Sequence, residues 1–285
     1  AEVVPTDGKP FQDEGAATWQ AFPLQWFAGQ EIIDNHNNGD SVCTSGYAFR
    51  VQYNGTWWYE STAGHCAYDD PSTPPSAGTD WGTSQAAHHA VGYFYEPNWP
   101  GIGLTQLIMN GSLVCCPPLR QVYDVALFSV NANSMASRPA AVSHIVTNYC
   151  PGGCQRNLNT STHNVVSSIT SSGSLSENST YLVKSGRTTG TSTGTYVGVR
   201  ADGRGEISNL DNCGVWDGDS GAPVFRWVAN GVQAVGIVSS KLGPASGYPV
   251  PAYCGIGGTT QRSASFVWVH VLQLATGASV VTTST

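Results

Sequence analysis

Gly218-Asp219-Ser220-Gly221-Ala222-Pro223 sets a hydroxyl in a turn of small residues. A serine hydroxyl is a weak nucleophile near neutral pH. It needs an adjacent imidazole to take its proton, and the imidazole needs a third group to hold its tautomer. Upstream, Thr62-Ala63-Gly64-His65-Cys66 and Asp124-Val125-Ala126-Leu127 offer both partners, in the chain order His, Asp, Ser. Taken singly, His65 also fits a buried histidine beside a structural cysteine, Asp124 a turn cap, and Ser220 an ordinary residue of a glycine-rich turn. The joint reading is the stronger because all three plain roles would have to hold together.

The chain has 285 residues, enough for one or two domains around a large core. Its 12 lysines and arginines stand against 19 aspartates and glutamates, a formal charge of -7, which lacks the basic footprint that nucleic acid demands. Eight cysteines in a glycine-rich chain with only 11% charged residues point to an oxidised, secreted, extracellular protein. Adjacent Cys115 and Cys116, and Cys150 and Cys154 around Pro151-Gly152-Gly153, do not follow zinc-site spacing, so disulfides are expected and a metal is not. No basic segment followed by an apolar run opens the sequence, so an export signal is expected to have been removed or not to be included. No stretch approaches the roughly 20 apolar residues of a membrane helix. Asn54, Asn110, Asn159 and Asn178 each begin a glycosylation tripeptide, a short pattern that marks a glycoprotein only where it is used.

Residues 1-34, with Pro5, Pro10 and Pro23, read as an N-terminal extension laid over the surface. Alternation around Tyr47, Phe49 and Val51, with strand-like Thr56 to Tyr59, Ala90 to Tyr95 and Val122 to Val130, predicts a first barrel over 35-135 carrying His65 and Asp124. Residues 136-160 read as a crossing segment. Short glycine-separated apolar runs then predict a second barrel over 161-262 carrying Ser220. The periodic stretch Ser265 to Leu274, with Gly277 beyond it, predicts a helix within a C-terminal helix and tail over 263-285.

The His, Asp, Ser order differs from the hydrolase-fold and subtilisin-like orders. The three motifs, with Lys184-Ser185-Gly186-Arg187-Thr188-Thr189-Gly190, resemble the chymotrypsin-like serine peptidases, and especially their bacterial secreted branch, the streptogrisins and the alpha-lytic type. The resemblance spans roughly Ser41 to Leu274. It implies an all-β fold of two packed six-stranded antiparallel barrels with a C-terminal helix. It implies His65 as base, Asp124 as its support, Ser220 as nucleophile, and the Gly218 and Ser220 amides as an oxyanion hole. It also implies a buried pair of Arg187 with Asp219 that shapes this turn, in place of a newly exposed N-terminus.

Family correspondence further suggests the disulfides Cys43-Cys66 and Cys213-Cys254. Cys150-Cys154 with Cys115-Cys116, or two cross-bridges among these four, both stay open. The substrate pocket is expected among Asp211 to Trp216, Val238 to Gly243 and Cys254 to Thr260. There Asp211 offers an acidic floor for lysine or arginine, Lys241 a charge that neutralises it, and Gly257-Gly258-Thr259-Thr260 a wall suited to large apolar or aromatic side chains. No histidine lies beside Ser239, which disfavours acidic side chains. Trp216 either shapes access or simply packs, and Thr260 is a further pocket residue.

Protein or peptide substrates and proteinaceous inhibitors are the implied partners, for a monomer without nucleic acid, membrane or cofactor. A lysine- or arginine-preferring peptidase, a catalytically silent two-barrel binding protein and an esterase are the competing readings. Gly39-Asp40-Ser41 repeats the nucleophile tripeptide without the small-residue and proline turn, and reads as a loop. His88 and His89 read as surface histidines, and Trp57, Trp58 and Tyr93-Phe94-Tyr95 as packing aromatics rather than a sugar platform.

Overall fold

In the computed structural model the described residues are 28–34, 42–52, 56–67, 80–82, 92–94, 124–130, 144–147, 161–244, 246–254 and 258–283. Cys115, Cys116, Cys150, Cys154, His88, His89 and Gly39-Asp40-Ser41 lie outside them, as do the expected features that rest on those residues.

The first sheet contains β1 (Glu31–Asp34), β2 (Val42–Thr44), β3 (Ala48–Gln52), β4 (Thr56–Thr62), β5 (Asp80–Gly82), β6 (Gly92–Phe94) and β7 (Ala126–Val130). The second contains β8 (His144–Thr147), β9 (Ser161–Ser168), β10 (Tyr181–Gly186), β11 (Gly190–Val199), β12 (Gly205–Ser208), β13 (Pro223–Val228) and β14 (Gly231–Leu242). β15 (Tyr248–Pro249) and β16 (Thr259–Thr260) pair as a small ribbon, β17 (Ser263–Trp268) returns to the second sheet, and β18 (Ser279–Val280) joins the first.

The alternation that makes these segments strands is plain in β11, where burial switches at successive positions from Gly190 to Val199, as a pleated ribbon with one face in the core requires. Around it pack Leu182, Ile207, Val224, Phe225, Ile237 and Phe266, all buried. Trp268 meets Phe266 and Tyr196 edge-on at 4.7 and 5.8 Å, a geometry that the ring quadrupole favours.

The expectation of two six-stranded barrels is corrected by the pairing. Six strands of the second sheet, β13-β10-β11-β12-β17-β14, close into a ring because β14 also pairs with β13. β9 and β8 are added outside that ring, β9 running parallel to β14. The first sheet has eight strands in the order β18-β3-β4-β7-β6-β5-β1-β2, and its end strands do not pair among the described residues. Long-range partners explain the difference. Glu31–Asp34, read as part of an extension, pairs with β2 and β5, and the C-terminal Val280 pairs with Phe49.

The helix is also shorter than expected. Among the described residues the single α-helix is α1 (Val269–Thr276), ended by Gly277 at φ 66, whose amide donates to Gln273 O. Ser265 to Trp268 are strand instead, since Phe266 pairs with Gly205 and Val238 and buries its ring completely. Burial against two neighbours overrides the local period.

Glu60 on β4 is 1% exposed, and among the described residues its Oε1 has no hydrogen-bond partner. Burial alone pushes this carboxyl well above its ordinary range. The folded protein therefore holds a proton that the unfolded chain releases near pH 4.3, so stability falls as pH rises from there towards the raised folded value. Glu60→Gln is expected to flatten this slope, gaining about 1.4 kcal/mol at pH 8 for each unit by which the folded value is raised. Urea unfolding at pH 4 and pH 8, in a Ser220→Ala background, measures it. Equal slopes in both proteins would count against the account.

Candidate active site

His65 sits on a 3-10 turn, Gly64–Ala67, directly after β4, and Asp124 lies just before β7, the strand that pairs with β4. The turn is stapled to β2 by the Cys43–Cys66 disulfide. Asp124 Oδ1 accepts the His65 backbone N–H at 2.8 Å, and Oδ2 lies 2.7 Å from His65 Nδ1. On the other side of the ring, Nε2 is 2.8 Å from Ser220 Oγ. A proton on Nδ1 pointing at the carboxylate leaves Nε2 with the lone pair that can receive the Ser220 proton.

Burial pushes the His65 imidazole down, but the hydrogen bond and charge of Asp124 outweigh it and leave the ring above its ordinary value. Arg204 works against protonation and Asp217 for it. Burial likewise pushes Asp124 up, and the hydrogen bonds from His65 and Ser239, with the His65 charge, bring it below the usual carboxylate value. The pair is therefore held as an anion beside a basic imidazole.

The Ser220 turn is folded around two glycines. Gly218 has φ +93 and Gly221 φ +89, and a Cβ on Gly221 would stand 2.1 Å from Thr44 O; only glycine meets both demands. Thr188 Oγ1 donates to Asp217 O at 2.8 Å, and Ala222 N–H donates to Asp219 O at 3.0 Å. In trans peptides the N–H opposes the C=O, so these bonds fix the opposite aim of the Gly218 and Ser220 amides. None of the described hydrogen bonds uses either amide. Thr44 completes the support, with its hydroxyl donating to Gly218 O at 2.7 Å and its N–H to Ser220 O at 2.8 Å.

The charge partner of Asp219 is Lys184, not Arg187. Lys184 Nζ lies 2.8 Å from Asp219 Oδ2, both side chains being fully buried, and also donates to Gly190 O at 3.1 Å and to Thr189 Oγ1. The Thr188 and Thr189 amides reach Asp219 Oδ1 at 3.0 and 3.1 Å, and the Trp216 amide and Thr189 hydroxyl reach Oδ2. Strand direction decides the exchange: β10 turns Lys184 inward, while Arg187 lies beyond its end, with its guanidinium 3.4 Å from Thr188 Oγ1. Arg187 supports the turn through its backbone N–H, which donates to Thr44 Oγ1 at 3.0 Å. Burial pushes the Lys184 ammonium below its ordinary value, although Asp219 pulls the other way.

Three expected pocket residues have other partners. Asp211 Oδ1 accepts the Thr193 N–H at 2.7 Å and braces β11. Lys241 pairs with both Asp217 oxygens at 2.8 and 2.7 Å, not with Asp211, and its ammonium lies 4.6 Å from the centre of the Trp216 ring. Ser239 is buried, and its hydroxyl donates to Asp124 Oδ2 at 2.7 Å, so it belongs with His65 and Asp124. Thr260 shares its hydroxyl proton between Cys213 O and Val215 O, and the Cys213–Cys254 disulfide closes the same region. Sequence reasoning missed Lys184, Thr44 and Arg204. The signal for Lys184 was a lysine following Leu182-Val183 in a strand.

The fold is similar to that of a solved serine protease. A solved structure described as a glutamic acid specific serine protease that utilizes a novel histidine triad in substrate binding is 22% identical, with a TM-score of 0.50, over 90% of this chain and 100% of that one. Thermobifida fusca protease A is 19% identical with a TM-score of 0.49, and Nocardiopsis protease 18% with 0.49, each over 90% of this chain and 98% of its own. At such identities the likeness speaks for the fold alone. No family model and no curated protein matches the sequence. Among the described residues, no helix is long and apolar enough to cross a membrane and no group of side chains is suited to hold a metal.

Proposed function

We propose that the protein is a secreted serine endopeptidase that cleaves peptide bonds through an acyl-enzyme. The observation that carries this reading is the unbroken line Asp124–His65–Ser220, with contacts of 2.7 and 2.8 Å. Ser220 Oγ attacks the scissile carbonyl as His65 Nε2 takes its proton, and the Gly218 and Ser220 amides receive the oxyanion. His65 passes the proton to the leaving amine. It then activates a water that releases the acyl group from Ser220.

The preferred side chain at the cleaved bond is large and apolar or aromatic. Supporting this, the three acids in the stretch of chain leading to the nucleophile are committed elsewhere: Asp211 to Thr193, Asp217 to Lys241 and Asp219 to Lys184. A mixed peptide library tests chemistry and preference together. Cleavage after aromatic and large aliphatic residues is the expected result; cleavage after lysine or arginine restores Asp211 to the pocket. Ester turnover without peptide turnover makes the protein an esterase, and no turnover at all favours a binding protein.

A further inference from the structure

A second polar chain begins at Asp124 Oδ2, the same oxygen that meets His65 Nδ1. Ser239 Oγ is 2.7 Å from Asp124 Oδ2 and 2.7 Å from Arg204 Nη1. A guanidinium can only donate. Ser239 Oγ therefore accepts from Arg204, and its single proton is left for Asp124.

Arg204 is itself held in place. Asp202 Oδ2 accepts from its Nε at 3.1 Å and its Nη2 at 2.8 Å, and Asp202 Oδ1 accepts its backbone N–H at 3.1 Å. The turn between β11 and β12 that carries it is closed by Arg200 N–H to Arg204 O at 2.8 Å and pinned by the Trp268 indole N–H to Gly203 O at 3.0 Å. Arg200 reaches Glu206 at 3.0 Å and Asp202 at 3.5 Å, so the hairpin tip is a cross-braced set of charges. Two donors of one planar fork that converge on a single carboxylate oxygen fix direction as well as distance.

We propose that Arg204 is a positioning residue for the Asp124–His65 pair, acting through Ser239: it commits the Ser239 hydroxyl proton to Asp124 and so fixes how the carboxylate meets the imidazole. The catalytic consequence rests on the peptidase reading; the hydrogen-bond and charge consequence does not. Among the described residues, the charged groups that act on His65 are Asp124 before β7, Asp217 in the nucleophile loop and Arg204 in the hairpin, and of these Arg204 alone opposes protonation of the ring. Removing it makes the imidazolium easier to form, which moves the acid limb of the rate profile to higher pH.

The test compares wild type, Arg204→Met, Arg204→Lys, Ser239→Ala and the Arg204→Met/Ser239→Ala double variant. NMR titration of the His65 ring is expected to show its midpoint rise by about half a pH unit in Arg204→Met. On a peptide substrate, kcat is expected to fall about tenfold with KM within about twofold, and Arg204→Lys to recover part of the loss. The double variant is expected to be no worse than Ser239→Ala, because both act through one hydroxyl. An unmoved His65 midpoint in Arg204→Met, or losses that multiply in the double variant, would overturn the proposal. If Arg204→Met fails to fold, Arg204→Lys against Ser239→Ala decides it by the same titration. A wild type that hydrolyses nothing sinks the peptidase reading, while the titration still decides the role of Arg204.

Discussion

Replacing Asp124 with asparagine is expected to lower kcat on peptide substrates by about ten-thousand-fold while leaving the fold intact. Every described contact to this carboxylate comes from a donor: His65 N–H, His65 Nδ1–H and the Ser239 hydroxyl. A carboxamide of the same shape has one acceptor and one donor group, so an NH2 must face a donor at one of these contacts. The backbone N–H at Oδ1 cannot yield, so the NH2 takes the Oδ2 place, where the Ser239 hydroxyl can turn and the imidazole escapes by moving its proton to Nε2, the atom that has to receive the Ser220 proton. Steady-state kinetics with thermal unfolding separates this from misfolding. Loss of activity at unchanged melting temperature is the expected pattern, and kcat within tenfold of wild type would show that Asp124 does not hold the tautomer.

The second large effect lies one layer deeper. Lys184→Met is expected to cost about 3–5 kcal/mol, because it strips the cation from a carboxylate that is fully withdrawn from water. The Thr188, Thr189 and Trp216 amides still contact Asp219 but carry no charge to oppose it. Asp219 adjoins both Gly218 and Ser220, so any shift of its side chain turns the peptide planes that aim those amides. Urea unfolding in a Ser220→Ala background gives the stability. Arg187→Met, by contrast, keeps the backbone N–H that reaches Thr44 and is expected to cost less. A Lys184→Met protein that unfolds within 1 kcal/mol of its parent would return the supporting role to Arg187.

The segments bearing His65, Asp124 and Ser220 were legible because their chemistry depends on residue type and short local spacing. Much of β11 and β14 was legible as short runs set apart by glycines. What sequence left unresolved depends on strand phase and remote pairing. Lys184 and Arg187 sit in one motif, and only the inward face of β10 selects between them. Ser239 reads as a pocket residue until the fold sets β14 against Asp124, and Arg204 belongs to no motif, so its role emerges only where the fold brings it to Ser239. Counting strands failed for the same reason, since Glu31–Asp34 pairs with β5 and Ser279–Val280 with β3, both far along the chain.

The central claim is that His65 and Asp124 make the Ser220 hydroxyl a nucleophile. Treatment with an active-serine phosphonylating reagent, followed by peptide mapping, tests it without assuming a substrate. One adduct on Ser220, absent in His65→Ala, is the expected result. A folded wild type whose Ser220 stays unmodified, or reacts equally well without His65, would contradict it.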